Sequence, residues 1–183
     1  MFDPAIFENL RVVLEGAVYD RDLEGEALVT GRSDLLDLAV MSRRYAIRLT
    51  RQTAGDRTVN SPRSARGRSE AEINLAAGLE DFAGEKLKEE PFGQPGCDLW
   101  IEYVLEIPGD DVCGHIRNVL KRQWGEGVAI RQQVAYDDSH PDVRRLTSAV
   151  WFQRKINERQ IDDLPELVDH VLRTLEELDQ LFD

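Results

Sequence analysis

"DLWIEYVLEI", residues 98–107, places Leu99, Ile101, Tyr103, Leu105 and Ile107 on one side of an extended chain and Asp98, Trp100, Glu102, Val104 and Glu106 on the other. Alternation of period two over this length predicts a strand with one face on a core and the other on water. Pro108-Gly109 ends it. Asp110 or Asp111 then caps a helix whose Val112, Ile116, Val119 and Leu120 point inward, with Lys121 and Arg122 near its C-terminus and Gly125 as its stop. A half-polar strand followed by an amphipathic helix points to an α+β protein.

Toward the C-terminus, "GVAIRQQVAYD" and "RRLTSAVWFQRKI" read as two strands joined by "DSHPDV", an antiparallel hairpin. Asp163 with Glu166 makes an acidic capping box, and Pro165 is tolerated in the first helical turn. From there Leu164, Val168, Val171, Leu175, Leu178 and Phe182 recur at alternating spacings of four and three. Leu167, Leu172 and Leu181 widen this stripe, so the long final helix is expected to pack on a sheet. The order strand, helix, strand, strand, helix resembles that of small bacterial adaptor and secretion-chaperone domains, an analogy of fold that identifies no site.

Toward the N-terminus, Asp3 and Pro4 suit the start of a helix over about 4–18, with Ile6, Leu10, Val13, Leu14 and Ala17 at helical spacing. "GEALVTG" reads as a short strand, and Ser33-Asp34 can cap a brief helix through "LLDLAVM", an apolar run that reads equally well as strand. From Arg43, the alternation of Tyr45, Ile47 and Leu49 with Arg44, Ala46, Arg48 and Thr50 predicts another strand. Ser69 with Glu72 makes a second capping box. Leu75, Ala76, Leu79, Phe82, Ala83 and Leu87 continue as a helical face to about Glu90.

Taken together, residues 1–183 are expected to form one α+β domain: a mixed, largely antiparallel sheet of four to five strands packed by helices. A chain of this length buries roughly 70% of the surface its unfolded form exposes, enough to fold without metal or disulfide. No apolar run approaches the roughly 18 residues of a membrane span, and the start at Met1 lacks a secretory pattern. Cys97 and Cys113 form no C-x-x-C pair and read as small buried hydrophobes in a reducing compartment. A cytoplasmic protein is predicted.

The formal charge of −12 is unevenly distributed: residues 1–42 carry −6, residues 43–68 carry +7 and residues 69–183 carry −13. Most of the basic island lies in "RQTAGDRTVNSPRSARGRSE", residues 51–70, whose low hydrophobicity predicts a mobile loop at about 52–68. Its Arg57, Arg63, Arg66 and Arg68 are candidates for contact with phosphates or with an acidic protein surface. No aromatic residue lies among them to stack on bases, so nucleic-acid binding would be electrostatic and sequence-independent. The acidic remainder repels nucleic acid and anionic lipid.

Motifs for chemistry are few. Neither phosphate-binding loop, G-x-x-x-x-G-K-[ST] or G-x-G-x-x-G, occurs, and the G-x-S-x-G elbow is absent. Cys113 and His115 are two apart on a helix and diverge by about 200°, and neither His140 nor His170 adds a ligand spacing, so no metal site is expected and no cofactor. Asp98, Glu102 and Glu106 share a strand face, but positions four apart lie about 13 Å from each other. A hydrolase would need acids from other strands.

One constellation stands out. Trp100 and Trp151 occupy the more polar faces of their strands, a large apolar area to leave in water. They are expected to lie under a helix, to form a patch for a partner chain, or to floor a small-molecule pocket edged by Arg131 and Glu102. The leading expectation is therefore a non-enzymatic protein-interaction module, adaptor or chaperone-like, that self-associates as a homodimer. A nucleic-acid-associated protein using the arginine loop and a hydrolase with a carboxylate site on the sheet are the alternatives.

Overall fold

The computed structural model describes residues 4–52, 69–87, 95–136, 138 and 144–182. Its elements run α1 (Ala5–Glu24), β1 (Ala27–Asp37), β2 (Ser42–Arg51), β3 (Glu70–Ala77), α2 (Leu79–Leu87), β4 (Asp98–Ile107), α3 (Cys113–Trp124), β5 (Val128–Tyr136), β6 (Arg144–Phe152) and α4 (Leu164–Asp179). The strands form one sheet in the order β1-β2-β3-β4-β6-β5, every adjacent pair antiparallel. The α+β class and the largely antiparallel sheet are as expected, but among the described residues the sheet has six strands instead of four or five, and every pair is antiparallel.

Alternation decides which face meets the core. Tyr45, Ile47 and Leu49 on β2, Ile73 and Leu75 on β3, and Ile101 and Tyr103 on β4 are fully buried and pack with Leu10 and Leu14 of α1, Ile116 and Leu120 of α3, and Val168, Val171 and Leu175 of α4. Burying a side chain of this size contributes about 1.5–3 kcal/mol. Helix α1 runs past the expected end near residue 18 to Glu24. It stops at Gly25, whose left-handed backbone (φ 76°) lets its N–H and that of Glu26 return to the last turn. Helix α4 is as long as its pattern requires. Asp163 makes no side-chain cap, and the reciprocal capping box forms upstream, between Asn157 and Gln160, on a 3₁₀ turn over Glu158–Asp163.

One segment that read as either helix or strand, and the first part of one expected helix, are strands. "LLDLAVM" supplies the end of β1 and a four-residue turn, in which Met41 is left-handed (φ 54°) and Asp37 accepts the Ala39 N–H at 2.9 Å. Pairing with β2 over Ala27–Asp37 satisfies one side of this backbone, although Leu35, Leu36, Leu38 and Val40 remain exposed. Likewise, Glu70–Ala77 is β3. Its Ala71, Ile73, Leu75 and Ala77 alternate into the core, and the helix begins only after Gly78, whose N–H is accepted by Asp81 at 3.0 Å. Ser69 caps nothing. Its backbone N–H and hydroxyl donate to Asp179 at 2.9 and 2.5 Å, tying the start of β3 to the end of α4. No helix among the described residues is long and apolar enough to cross a membrane.

Candidate functional site on the open face of the sheet

Helices α1, α3 and α4 lie on one side of the sheet, and α2 sits past the end of β3, where its Glu85 accepts the Ala5 and Ile6 backbone N–H groups. Among the described residues no helix joins the opposite face. Trp100 there is only 6% exposed, yet it lies outside the core cluster.

The antiparallel register sets this face out in rows. One row runs Ala46, Asn74, Trp100, Trp151 and Ala129 across five strands, and the next runs Arg48, Glu72, Glu102, Ala149 and Arg131. The two tryptophans stack nearly parallel with ring centroids 4.5 Å apart. The Trp100 indole donates to Glu102 at 3.0 Å, and the Arg44 guanidinium sits 5.0 Å from the Trp100 ring centroid while donating to Asn74 at 2.7 Å. Trp100 is buried and in contact with Trp151, Glu102 and Arg44, and Trp151 is half-buried.

All four residues singled out from the sequence, Trp100, Trp151, Glu102 and Arg131, therefore share one face and adjacent rows. Ala149, with no more than a methyl group, separates Glu102 from Arg131 in the row beside Trp151, so that an acid and a base flank it. The expectation that a helix covers the tryptophans is not met among the described residues.

The carboxylates are also brought nearer than their own strand allows. Glu72 lies directly opposite Glu102, but it is held by Arg48 at 2.7 Å and Arg44 at 3.6 Å. Asp98 shares Lys155 with Asp81, at 3.3 and 2.8 Å. No group of three His, Cys, Asp or Glu side chains suited to a metal ion occurs among the described residues. Arg57, Arg63, Arg66 and Arg68, and the loop that carries them, lie outside the described residues, as does His140. Arg51, the last residue of β2, pairs with Glu176 at 2.7 Å.

A second feature escaped the sequence. A cleft of about 290 Å³ opens between α3, α4 and the end of β6, walled by Trp124, Phe152, Leu167 and His170 and edged by Arg154 and Glu166. Trp124 meets Phe152 and His170 edge-on, at centroid distances of 5.5 and 4.4 Å, and the His170 ring contacts the Gln123 carbonyl through Nε2 at 2.8 Å. Its residues come from separate segments, and no local spacing announces them. No protein-family model, curated protein or solved structure matches the chain.

Proposed function

We propose that this chain is a non-enzymatic, cytoplasmic protein-interaction module, adaptor or chaperone-like, whose open sheet face holds a basic segment of a partner protein. The observation that carries the reading is the Trp100–Trp151 stack on a face that no described helix covers, with Glu102 and Arg131 in register beside it. Aromatic anchors flanked by charge are what protein interfaces concentrate. Arg44 over Trp100 is an example, within the chain, of a guanidinium resting on this aromatic surface. A partner's arginine or lysine can do the same on Trp151, with Glu102 near it, and the net charge of −12 draws a basic segment toward the molecule.

The test is a titration of the full chain with an arginine-rich peptide and with a glutamate-rich one of equal length, followed by tryptophan fluorescence. Saturable binding of the basic peptide alone, weakened by salt and at least tenfold weaker in Glu102→Gln, is expected. Equal response to both peptides, or to neither, contradicts the reading.

A further inference from the structure

β1 is an edge strand of eleven residues, and among the described residues one side of its backbone has no partner strand. Edges of this kind are normally blunted by shortness, proline, bulges or charge, because their free N–H and C=O groups recruit another strand. Here the bulge falls between Val29 and Gly31, so Gly31–Asp37 is a regular edge. Along and just beyond it Leu35, Leu36 and Leu38 are 61%, 50% and 69% exposed. The opposite edge, β5, carries Arg131 as its one ionisable group besides Tyr136.

The regular part of β1 is self-complementary about a single position. Two copies of one strand pairing antiparallel around a two-fold axis place each residue opposite the one equally far on the other side of the axis. With the axis at Ser33, Arg32 faces Asp34 of the second copy, Asp34 faces its Arg32, and Leu35 lies over its Gly31, which has no side chain to obstruct it. Moving the axis to Arg32 or to Asp34 sets like charges directly opposite one another, which destabilises a strand pair.

The inner side of β1 is prepared for this register. Arg32 is half exposed and is held by Glu15, while Asp34, about a third exposed, is held by Arg43 at 2.7 Å with Arg11 at 3.8 Å. Glu8 completes the group through Arg11 at 2.5 Å and Arg43 at 3.0 Å. Three arginines and three carboxylates thus balance at the edge of a molecule whose overall charge would otherwise keep copies apart.

We infer that β1 pairs with β1 of a second copy of this chain, antiparallel and centred on Ser33, joining two six-stranded sheets into one of twelve. The axis stands perpendicular to the sheet, so both helical layers fall on the same side and both tryptophan faces on the other. The inference uses a different surface from the partner-binding reading above and stands without it.

Ser33→Cys, made in a Cys113→Ser background, tests the register. Paired residues on such an axis have Cα atoms about 4.5–5.5 Å apart, within the range a disulfide spans. Mild oxidation is expected to give a disulfide-linked dimer. Leu35→Cys in the same background is expected to stay uncrosslinked, its two copies lying about 13 Å apart along the strands. In sedimentation equilibrium, the wild type is expected to dimerise. Arg32→Asp and Asp34→Arg should each weaken the dimer at least tenfold, and the double swap should restore it. Asp34→Arg also loses its pairing with Arg43, so circular dichroism first establishes that each variant folds. A monomeric wild type overturns the inference, as does a Ser33→Cys chain that oxidises without crosslinking or a Leu35→Cys chain that crosslinks equally fast.

Discussion

Trp100 and Trp151 oppose each other across the β4–β6 ladder and stack with planes 6° from parallel, on the side of the sheet away from the helices. Stacked indoles so close couple their electronic transitions, so the folded chain is expected to give a paired positive and negative circular-dichroism band that either Trp→Phe variant abolishes. Trp100→Ala, which opens a void beneath Arg44, is expected to cost about 3 kcal/mol in denaturant unfolding. Trp151→Ala removes a half-buried ring and should cost less than Trp100→Ala. The same loss from both would mean that Trp151 is structural only.

Acid stability should depend on the ion-pair group at the β1 edge. Hydrogen bonding from Arg43 holds the Asp34 carboxyl below its ordinary value, and Arg11 does the same for Glu8. A carboxyl depressed in the folded state stabilises above its unfolded value, near 4, and that contribution is lost as pH falls through the folded value. The melting temperature is therefore expected to drop below about pH 4, and to drop less steeply in Asp34→Asn. An unchanged slope in that variant would show that the pairing contributes nothing.

The two thiols should behave differently. Burial pushes the Cys97 thiol up to about 12, and it is 1% exposed, whereas Cys113 is half-buried at the start of α3 and raised less, again chiefly by burial. The nucleophile is the thiolate. At mildly alkaline pH the native chain should therefore take up one equivalent of an alkylating reagent, slowly and at Cys113, and a second only on unfolding. Mass spectrometry locating the first label at Cys97 would contradict the burial described.

The Ser69–Asp179 contact should matter for stability. Asp179→Ala strands the Ser69 backbone N–H at the start of β3 and leaves its hydroxyl only the Leu175 carbonyl at 3.4 Å, for which about 1–3 kcal/mol is expected. Chemical denaturation of this variant beside Ser69→Ala separates the two donors. If Asp179→Ala proves neutral, α4 is not tied to β3 through this pair.

These contacts also bear on what the sequence disclosed. Strand β4 was legible because its alternation continues through ten residues, and α4 because its stripe continues through four turns. In β3 the strand signal was weaker, since two of its four inward positions are the small Ala71 and Ala77, while Ser69 and Glu72 imitate a cap and Leu75 falls at helical spacing from Leu79, Phe82 and Leu87 of α2. Pairing with β2 and β4 outweighs that local preference. The end of β1 was left open between helix and strand because both of its faces are exposed there, which removes the alternation. At the site, strand parity placed Trp100 with Glu102, and Trp151 with Ala149, on the more polar face of each strand, but that these faces coincide, and that Arg131 joins them, comes from the pairing of β4, β6 and β5. Their row-by-row adjacency likewise depends on β6 pairing with β4 and on which residues oppose.

The account depends most on the open face acting as a binding surface, and calorimetric titration of wild type and Trp151→Ala with one arginine-rich peptide tests it most directly. Binding to the wild type, at least tenfold weaker in a variant whose melting curve confirms that it folds, is the predicted result. Equal affinity in the two proteins, or no heat of binding in either, would contradict it.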